Sequence, residues 1–459
     1  MDRSVASKWL LWVSRVTFAL SFLLAMMTPA WESGTFTLWP ILSFSLSRLR
    51  FQVGILTLLP CVAATACFLA FVFERPPYPR GTTLYLIPLL LFCLLALVRI
   101  WPIHILHRAV VTVVAVALSV GVALYVLHDG HERWYTGVIA AMLFLQGGIA
   151  VVQFIRQESV GLYWMGEIAL DPNGQGVSVV DVAGQRWLRA YGLTAHPNVL
   201  GGYLSLGILV CLGAARSVPK KMRRWLWGAI AVGSLGLFFT FSRSAWLGTV
   251  IGMLYLAWIL RPWRAIDWHV AQTRRTTALL AGLLLAVAVV LGLVFRDLLL
   301  TRFLHLGSPL EATSIRERVQ DIEQAWSLIR VVPLKGVGSG YYIDALWSQV
   351  GEDRPPGFRK IHNAYLLAAA ELGVGGALLW LGTVLTPPIV VARRARQKRA
   401  SRQPCIEGAG WAAAFLSGAI VCLFDSYLYI PSTWWPALFL GLLTGSWAYA
   451  VGAIQCRRE

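Results

Sequence analysis

Long apolar runs dominate the chain, broken by short polar stretches that are mostly basic. A membrane span needs roughly 20 apolar residues. Run length places about twelve spans, near 9–30, 54–73, 83–100, 107–127, 134–155, 196–215, 223–241, 243–260, 278–295, 363–391, 408–428 and 433–452. The stretch 35–46 is apolar but short, with Pro40 inside and Arg48 and Arg50 after it, and reads as interfacial or re-entrant. Two polar stretches are long, 156–195 and 296–362. In the second, Ile315, Val319, Ile322, Trp326 and Ile329 recur at spacings of three and four, which predicts an amphipathic helix on the membrane surface. The pattern predicts an all-α polytopic membrane protein, a single integral membrane domain over 1–459 without internal repeats, with a large and partly helical loop.

Charge orients these spans. Arg216, Lys220, Lys221, Arg223 and Arg224 fall between the sixth and seventh. Arg261, Arg264, Arg274 and Arg275 fall between the eighth and ninth, and Arg393, Arg394, Arg396, Lys398, Arg399 and Arg402 between the tenth and eleventh. Alternating spans put all three clusters on one side, which the positive-inside rule makes the cytoplasm. Loops 156–195, 296–362 and the tight turn at Ser242-Arg243-Ser244 then share the outer face.

Composition agrees. The 459 residues are 57% hydrophobic and 14% charged, and 21 Trp and 14 Tyr suit interfacial belts. The net charge of +18 would also fit a nucleic-acid partner, but its placement in loops between spans accounts for it, so none is expected. The seven cysteines form no CxxC pair, which predicts neither a disulfide framework nor a zinc site. The first run follows Arg3 and Lys8 and is long for a signal peptide, so it is expected to stay as a span.

A charge held at a span end must face water or a protein interior, and so marks a candidate site. Arg189 opens Arg189-Ala-Tyr191-Gly-Leu-Thr-Ala-His196-Pro-Asn198. Its fork of donors matches phosphate oxygens, though an arginine snorkelling to headgroups gives the same pattern. Arg243 sits between two runs that barely separate, pointing into a cavity or capping the preceding helix. His362-Asn363 opens the tenth span, where histidine can serve as a general base or only as a cap. Gly336-Val-Gly338-Ser-Gly340 lacks the ending of a phosphate-binding loop and reads as a turn bringing backbone close to a ligand or to the tenth span. Acids such as Asp321, Glu323, Asp344, Glu352, Asp353 and Glu371 have no spacing that specifies a metal site.

Four patterns in this order resemble the O-antigen ligase and O-antigen polymerase superfamily. They are Arg-x-x-Gly with His-Pro-Asn (Arg189 to Asn198), Ser-Arg-Ser (Ser242 to Ser244), Arg with Pro-Leu-x-Gly-Val-Gly (Arg318 to Gly338), and His-Asn-x-Tyr-Leu with Glu-x-Gly (His362 to Gly373). The resemblance implies a glycosyltransferase of the bacterial inner membrane with a GT-C-like helical fold and its site facing outward. It would move a glycan from undecaprenyl diphosphate to a lipid or glycan acceptor such as lipid A-core, with inversion and without a metal or other cofactor. Arg189 and Arg243 would then bind the diphosphate with help from Arg318, and His362 would activate the acceptor hydroxyl or steady the reacting groups. Tyr191, His196, Asn198, Gly338 and Asn363 join them as candidate substrate contacts. A polymerase of the same superfamily is the nearest alternative. A lipid-linked glycan transporter is the alternative of another class, although a transporter should place its charges near mid-membrane.

Overall fold

A computed structural model describes residues 3–25, 40–46, 49–54, 82–100, 106–182, 184–260, 282, 286, 289–304, 309–350, 361–400, 408–429 and 434–456. The chain is mostly helical. The helices are α1 (Arg3–Ala25), α2 (Ile87–Val98), α3 (Leu106–Asp129), α4 (Glu132–Arg156), α5 (Pro197–Ala214), α6 (Lys220–Phe239) and α7 (Arg243–Leu260). There follow α8 (Arg296–Leu304), α9 (Pro309–Val331), α10 (Tyr342–Val350), α11 (Ala364–Ala400), α12 (Ala409–Val421) and α13 (Trp434–Cys456).

Among the described residues, five helical stretches are long and apolar enough to cross a membrane: Ala109–Asp129, Glu132–Arg156, Pro197–Ala214, Arg243–Leu260 and Ala364–Gln397. Shorter apolar helices cover Trp9–Leu20, Thr82–Val98, Ala409–Val421 and Pro436–Gly452. Helix α6 fills the expected seventh position, its apolar character diluted by the basic residues of its first turns. Expected span 54–73 lies, apart from Gly54, outside the described residues, and 278–295 is described only in part.

The all-α expectation needs one correction. Stretch 35–46 overlaps the antiparallel hairpin of β1 (Pro40–Leu46) and β2 (Leu49–Gly54), and loop 156–195 carries a second, β3 (Val179–Val182) with β4 (Gln185–Leu188). Both are alternations too short to separate from an apolar run by eye.

Small residues bring the helices together. Helix α13 lies on α3, where Gly441 and Gly445 meet the backbone at Ser119 and Ala123. Helices α4 and α6 meet through Gly147 and Gly236. Helix α12 packs against α5 and α7, and a chain of hydroxyls crosses all three: Thr249 donates to Ser205 Oγ at 2.7 Å, and Ser205 Oγ lies 2.7 Å from Ser417 Oγ. Each pair gives the hydroxyls partners that lipid cannot supply.

Helix α11 is broken at Gly373, whose φ of 78° takes it out of the helix. The glycine turn after α9 docks into that break. Val337 N–H donates to Ala370 O, Gly338 N–H to Glu371 O, and Val374 N–H to Pro333 O. A Cβ on Gly336 would strike the Glu371 carbonyl, and one on Gly373 would strike that of Leu334. The two glycine motifs, far apart in sequence, are the two halves of one backbone contact.

Candidate functional site

Four chain junctions meet at one end of the bundle: the entrance to α5, the α6–α7 turn, the entrance to α11, and the segment after α12. The α6–α7 turn is tight because Phe241 adopts a left-handed φ of 48°, at a cost of about 1–2 kcal/mol for a residue with a Cβ. Phe241 is buried among Phe154, Phe238 and Trp246, which hold it there. The turn makes Arg243 the first residue of α7. A guanidinium at the positive end of a helix dipole is poorly placed on its own and well placed to meet an anion. Arg243 Nη1 donates to Arg302 O at 2.9 Å. The end of α6 is met instead by Arg189, whose Nε donates to Thr240 O at 2.8 Å.

From Arg189 a chain of polar contacts runs across the bundle. Arg189 Nη2 donates to Asn198 Oδ1 at 2.6 Å, and Asn198 Nδ2 donates to Asp425 Oδ2 at 3.1 Å. Asp425 Oδ1 lies 3.3 Å from His362 Nδ1. Arg189 is 4% exposed and Asp425 5%. Burial at such depth requires that both polar side chains have partners. The His362 backbone N–H also points to Asp321 Oδ2 at 3.3 Å, which ties α9 to the same place.

Beside this chain lies a cavity of about 290 Å³, lined by Asn198, Arg243, Ser244, Leu247, Arg302, Arg318 and Phe424. Among the described residues, three guanidiniums and no carboxylate stand in that wall. His362 lies behind it, one contact away through Asp425, and Asp425 itself follows the wall residue Phe424.

Other expected contacts build the frame. Tyr191 is buried, and its hydroxyl accepts the Ser178 N–H at 2.7 Å. His196 caps α5: its Nδ1 accepts the Asn198 N–H at 3.1 Å, which leaves the proton on Nε2 to be donated to Ser178 Oγ at 3.0 Å. His196 is half-buried as a residue, and enclosure by the surrounding chain pushes its pKa well below the usual value. Arg189, His362, Arg302 and Arg318 nearby push it the same way, so the ring is neutral. Asn363 caps α11 through Oδ1, which accepts the Tyr365 and Leu366 N–H groups, while its Nδ2 donates to Leu423 O. Gly338 lies on α11 and outside the cavity wall.

Two glutamines of α4 hold the segment that carries Arg189. Gln153 Oε1 accepts the Tyr191 and Gly192 N–H groups and its Nε2 donates to Glu167 and to Gly192 O. Gln146 Oε1 accepts the Leu193 N–H. Buried amides in a membrane helix are the signal that would have drawn attention to them.

Asp425, Arg302 and the two glutamines are additions to the residues the sequence singled out. Asp425 was hidden because apolar residues continue around it, so it read as interior to span 408–428. Helix α12 stops at Val421, and Asp425 stands in the turn beyond. The span-end rule that drew attention to the arginines applies to it equally.

An apolar helical bundle with arginines, a carboxylate and a histidine gathered at one end defines an integral membrane protein with a polar site where its helices end. Residues 227–381 match the family model described as O-antigen ligase, so the chain carries the domain of the O-antigen ligase superfamily there. The match supports a membrane enzyme of the ligase or polymerase type, from a family that is glycosyltransferase-like. The match includes Arg243, Arg302, Arg318 and His362; Arg189, Asn198 and Asp425 lie outside it. No curated protein and no solved structure matches the chain.

Proposed function

We propose that this protein is an O-antigen ligase: it transfers a glycan from undecaprenyl diphosphate to an acceptor such as lipid A-core at the outer face of the bacterial inner membrane. The observation that carries this reading is the wall of three arginines, Arg243, Arg302 and Arg318, beside the His362–Asp425 pair. A lipid diphosphate leaving group gains charge as the sugar C1–O bond breaks. Guanidiniums fixed in a poorly solvated cavity favour that charge, and those of Arg243 and Arg318 form paired hydrogen bonds to its oxygens.

The acceptor side needs a proton acceptor, which arginine cannot be. With Nδ1–H held by Asp425, His362 presents Nε2 as the free base position. The acceptor hydroxyl gives its proton to Nε2 as its oxygen bonds to C1, and the diphosphate departs from the opposite face. The anomeric centre is inverted and no metal ion is used. Arg189 serves from behind, holding Asn198 and through it Asp425.

Transfer by the purified protein in nanodiscs tests the reading, with an undecaprenyl-diphosphate glycan as donor and lipid A-core as acceptor. Glycosylated lipid A-core is the expected product. Elongation of the lipid-linked glycan instead would make the protein a polymerase. Movement of the donor across a liposome bilayer without any transfer would make it a transporter.

A further inference from the structure

Arg302 sits in α8, outside every motif that marks the family, yet it is 7% exposed and lines the cavity. Two hydrogen bonds cross between it and the α6–α7 turn. Arg302 Nε donates to Phe241 O at 3.1 Å, and Arg243 Nη1 donates back to Arg302 O at 2.9 Å. The first bond holds the carbonyl of the residue whose left-handed backbone makes the turn. The second holds the side chain that the turn aims.

A non-glycine residue at positive φ persists only where its surroundings over-determine it. The aromatic packing of Phe241 fixes its side chain, and Arg302 fixes its carbonyl. A Phe241 relaxed to the ordinary helical or extended region would redirect the start of α7 and with it Arg243. We propose that Arg302 is a positioning residue: its reciprocal bonds with Phe241 and Arg243 clamp the turn and set the Arg243 guanidinium toward the donor phosphates. The outer segment 296–304 is thereby part of the donor pocket, and any movement of α8 would be read at Arg243.

This rests on the reading that the cavity takes a lipid diphosphate, so the test has one arm that needs no ligand. In that arm, backbone amide exchange is followed by mass spectrometry in nanodiscs. Arg302→Gln should speed exchange over residues 238–246 and leave the other helices at the wild-type rate. Unchanged exchange in that stretch, or faster exchange throughout the chain, would overturn the clamp.

In the second arm, undecaprenyl diphosphate is the binding probe. Losing the aim of a charge-assisted hydrogen bond costs on the order of ten- to a hundredfold in affinity, and Arg302→Gln should weaken binding by that order. In an Arg243→Ala background the same change should add little, because the group it positions is gone. Independent, multiplying losses would make Arg302 a ligand in its own right and overturn the positioning role. Full restoration by Arg302→Lys would do the same, since lysine keeps the charge without the fork. Failure of the wild-type protein to bind the probe would count against the donor assignment alone, and the exchange result would still decide the clamp.

Discussion

His362 Nδ1 and Asp425 Oδ1 face each other at 3.3 Å, across 63 residues of sequence. The contact is long for a hydrogen bond, as catalytic pairs commonly are before substrate binds. Around it the chain is fastened twice more: Ala364 N–H donates to Cys422 O, and Asn363 Nδ2 to Leu423 O. The pair is therefore set by backbone, and removing either partner should change chemistry more than shape. His362→Ala should lower transfer by on the order of a hundred- to ten-thousand-fold while undecaprenyl diphosphate still binds. Asp425→Asn should lower transfer too, and the double variant should be little worse than His362→Ala, because the two act as one unit. Donor affinity and transfer rate measured side by side decide this. Equal loss of donor binding in His362→Ala and Arg243→Ala would move His362 to the diphosphate pocket.

The sequence carried the helical, membrane-spanning character of the chain and the charged residues that meet at one end of the bundle, because both rest on one-dimensional signals. Run length marks a span, and a charge at its end is conspicuous against apolar neighbours, as with Arg189 and Arg243. What escaped it depended on three-dimensional detail. Phe241 offers no hint of a left-handed backbone, since glycine or asparagine would be the residues expected there. Asp425 is masked by the apolar residues that follow α12. Tyr191, His196 and Asn363 lie at the same end of the bundle and outside the cavity wall; composition does not distinguish a residue that touches substrate from one that caps a helix. Gly338 had two open readings, ligand or tenth span, and Glu371 O settles its position on the span.

Arg189 and Arg243 should separate in their effects. The expectation from sequence is the same role for both, but Arg189 is buried with bonds to Thr240 O and Asn198 Oδ1, whereas Arg243 lines the cavity. Hydrogen bonds to charged groups contribute about 1.5–3 kcal/mol each. Arg189→Ala should therefore lower the unfolding midpoint in detergent as well as abolish transfer. Arg243→Ala should lose donor binding at near-normal stability, with lysine a poor substitute. Thermal unfolding of the two variants provides the comparison, and equal stability would place Arg189 at the substrate rather than behind it.

His196 makes stability depend on pH. Its native pKa lies well below the value of 6.5 that it has when unfolded. Below 6.5 the unfolded chain binds a proton that the native ring refuses, so this contribution is complete above 6.5 and shrinks as pH falls through the window down to the native value. His196→Asn keeps a side chain able to cap α5 without titrating. Unfolding midpoints between about pH 7.5 and about pH 5.5 should fall more steeply for the wild type than for His196→Asn. Parallel slopes would show that His196 takes up its proton without cost in the fold.

Membrane orientation has a direct check. The basic clusters place Lys220 and Arg396 inside, and Gly176 and Arg318 outside. The cavity wall shared by Asn198 and Arg318, with the His362 N–H to Asp321 contact, puts the entrance to α5 and helix α9 at the same end of the bundle. Cysteines placed singly at the four positions, in a background without native cysteines, should react with an impermeant reagent in intact spheroplasts only at 176 and 318. Labelling of 396 with protection of 318 would invert the molecule and remove the site from the outer face.

Helix α9 divides the apolar stripe that its sequence displays. Ile329 turns into the core with Ala325 and Leu328, beside buried Asp321, whereas Val319, Ile322 and Trp326 stay exposed on the adjoining flank. Gln320, Glu323, Ser327 and Arg330 occupy the remaining exposed side. A helix with a protein face, an apolar flank and a polar face fits the membrane interface, where the flank meets lipid and tryptophan is favoured. Arg318 leaves the same helix toward the cavity, so the depth of α9 in the interface also fixes the height of that guanidinium. Spin labels at 319 and 322 should be relaxed by oxygen, which concentrates in lipid. Labels at 320 and 327 should be relaxed by a water-soluble nickel chelate. The same chelate response at all four positions would lift α9 off the membrane, and Arg318 would then be positioned by the core contacts of α9 alone.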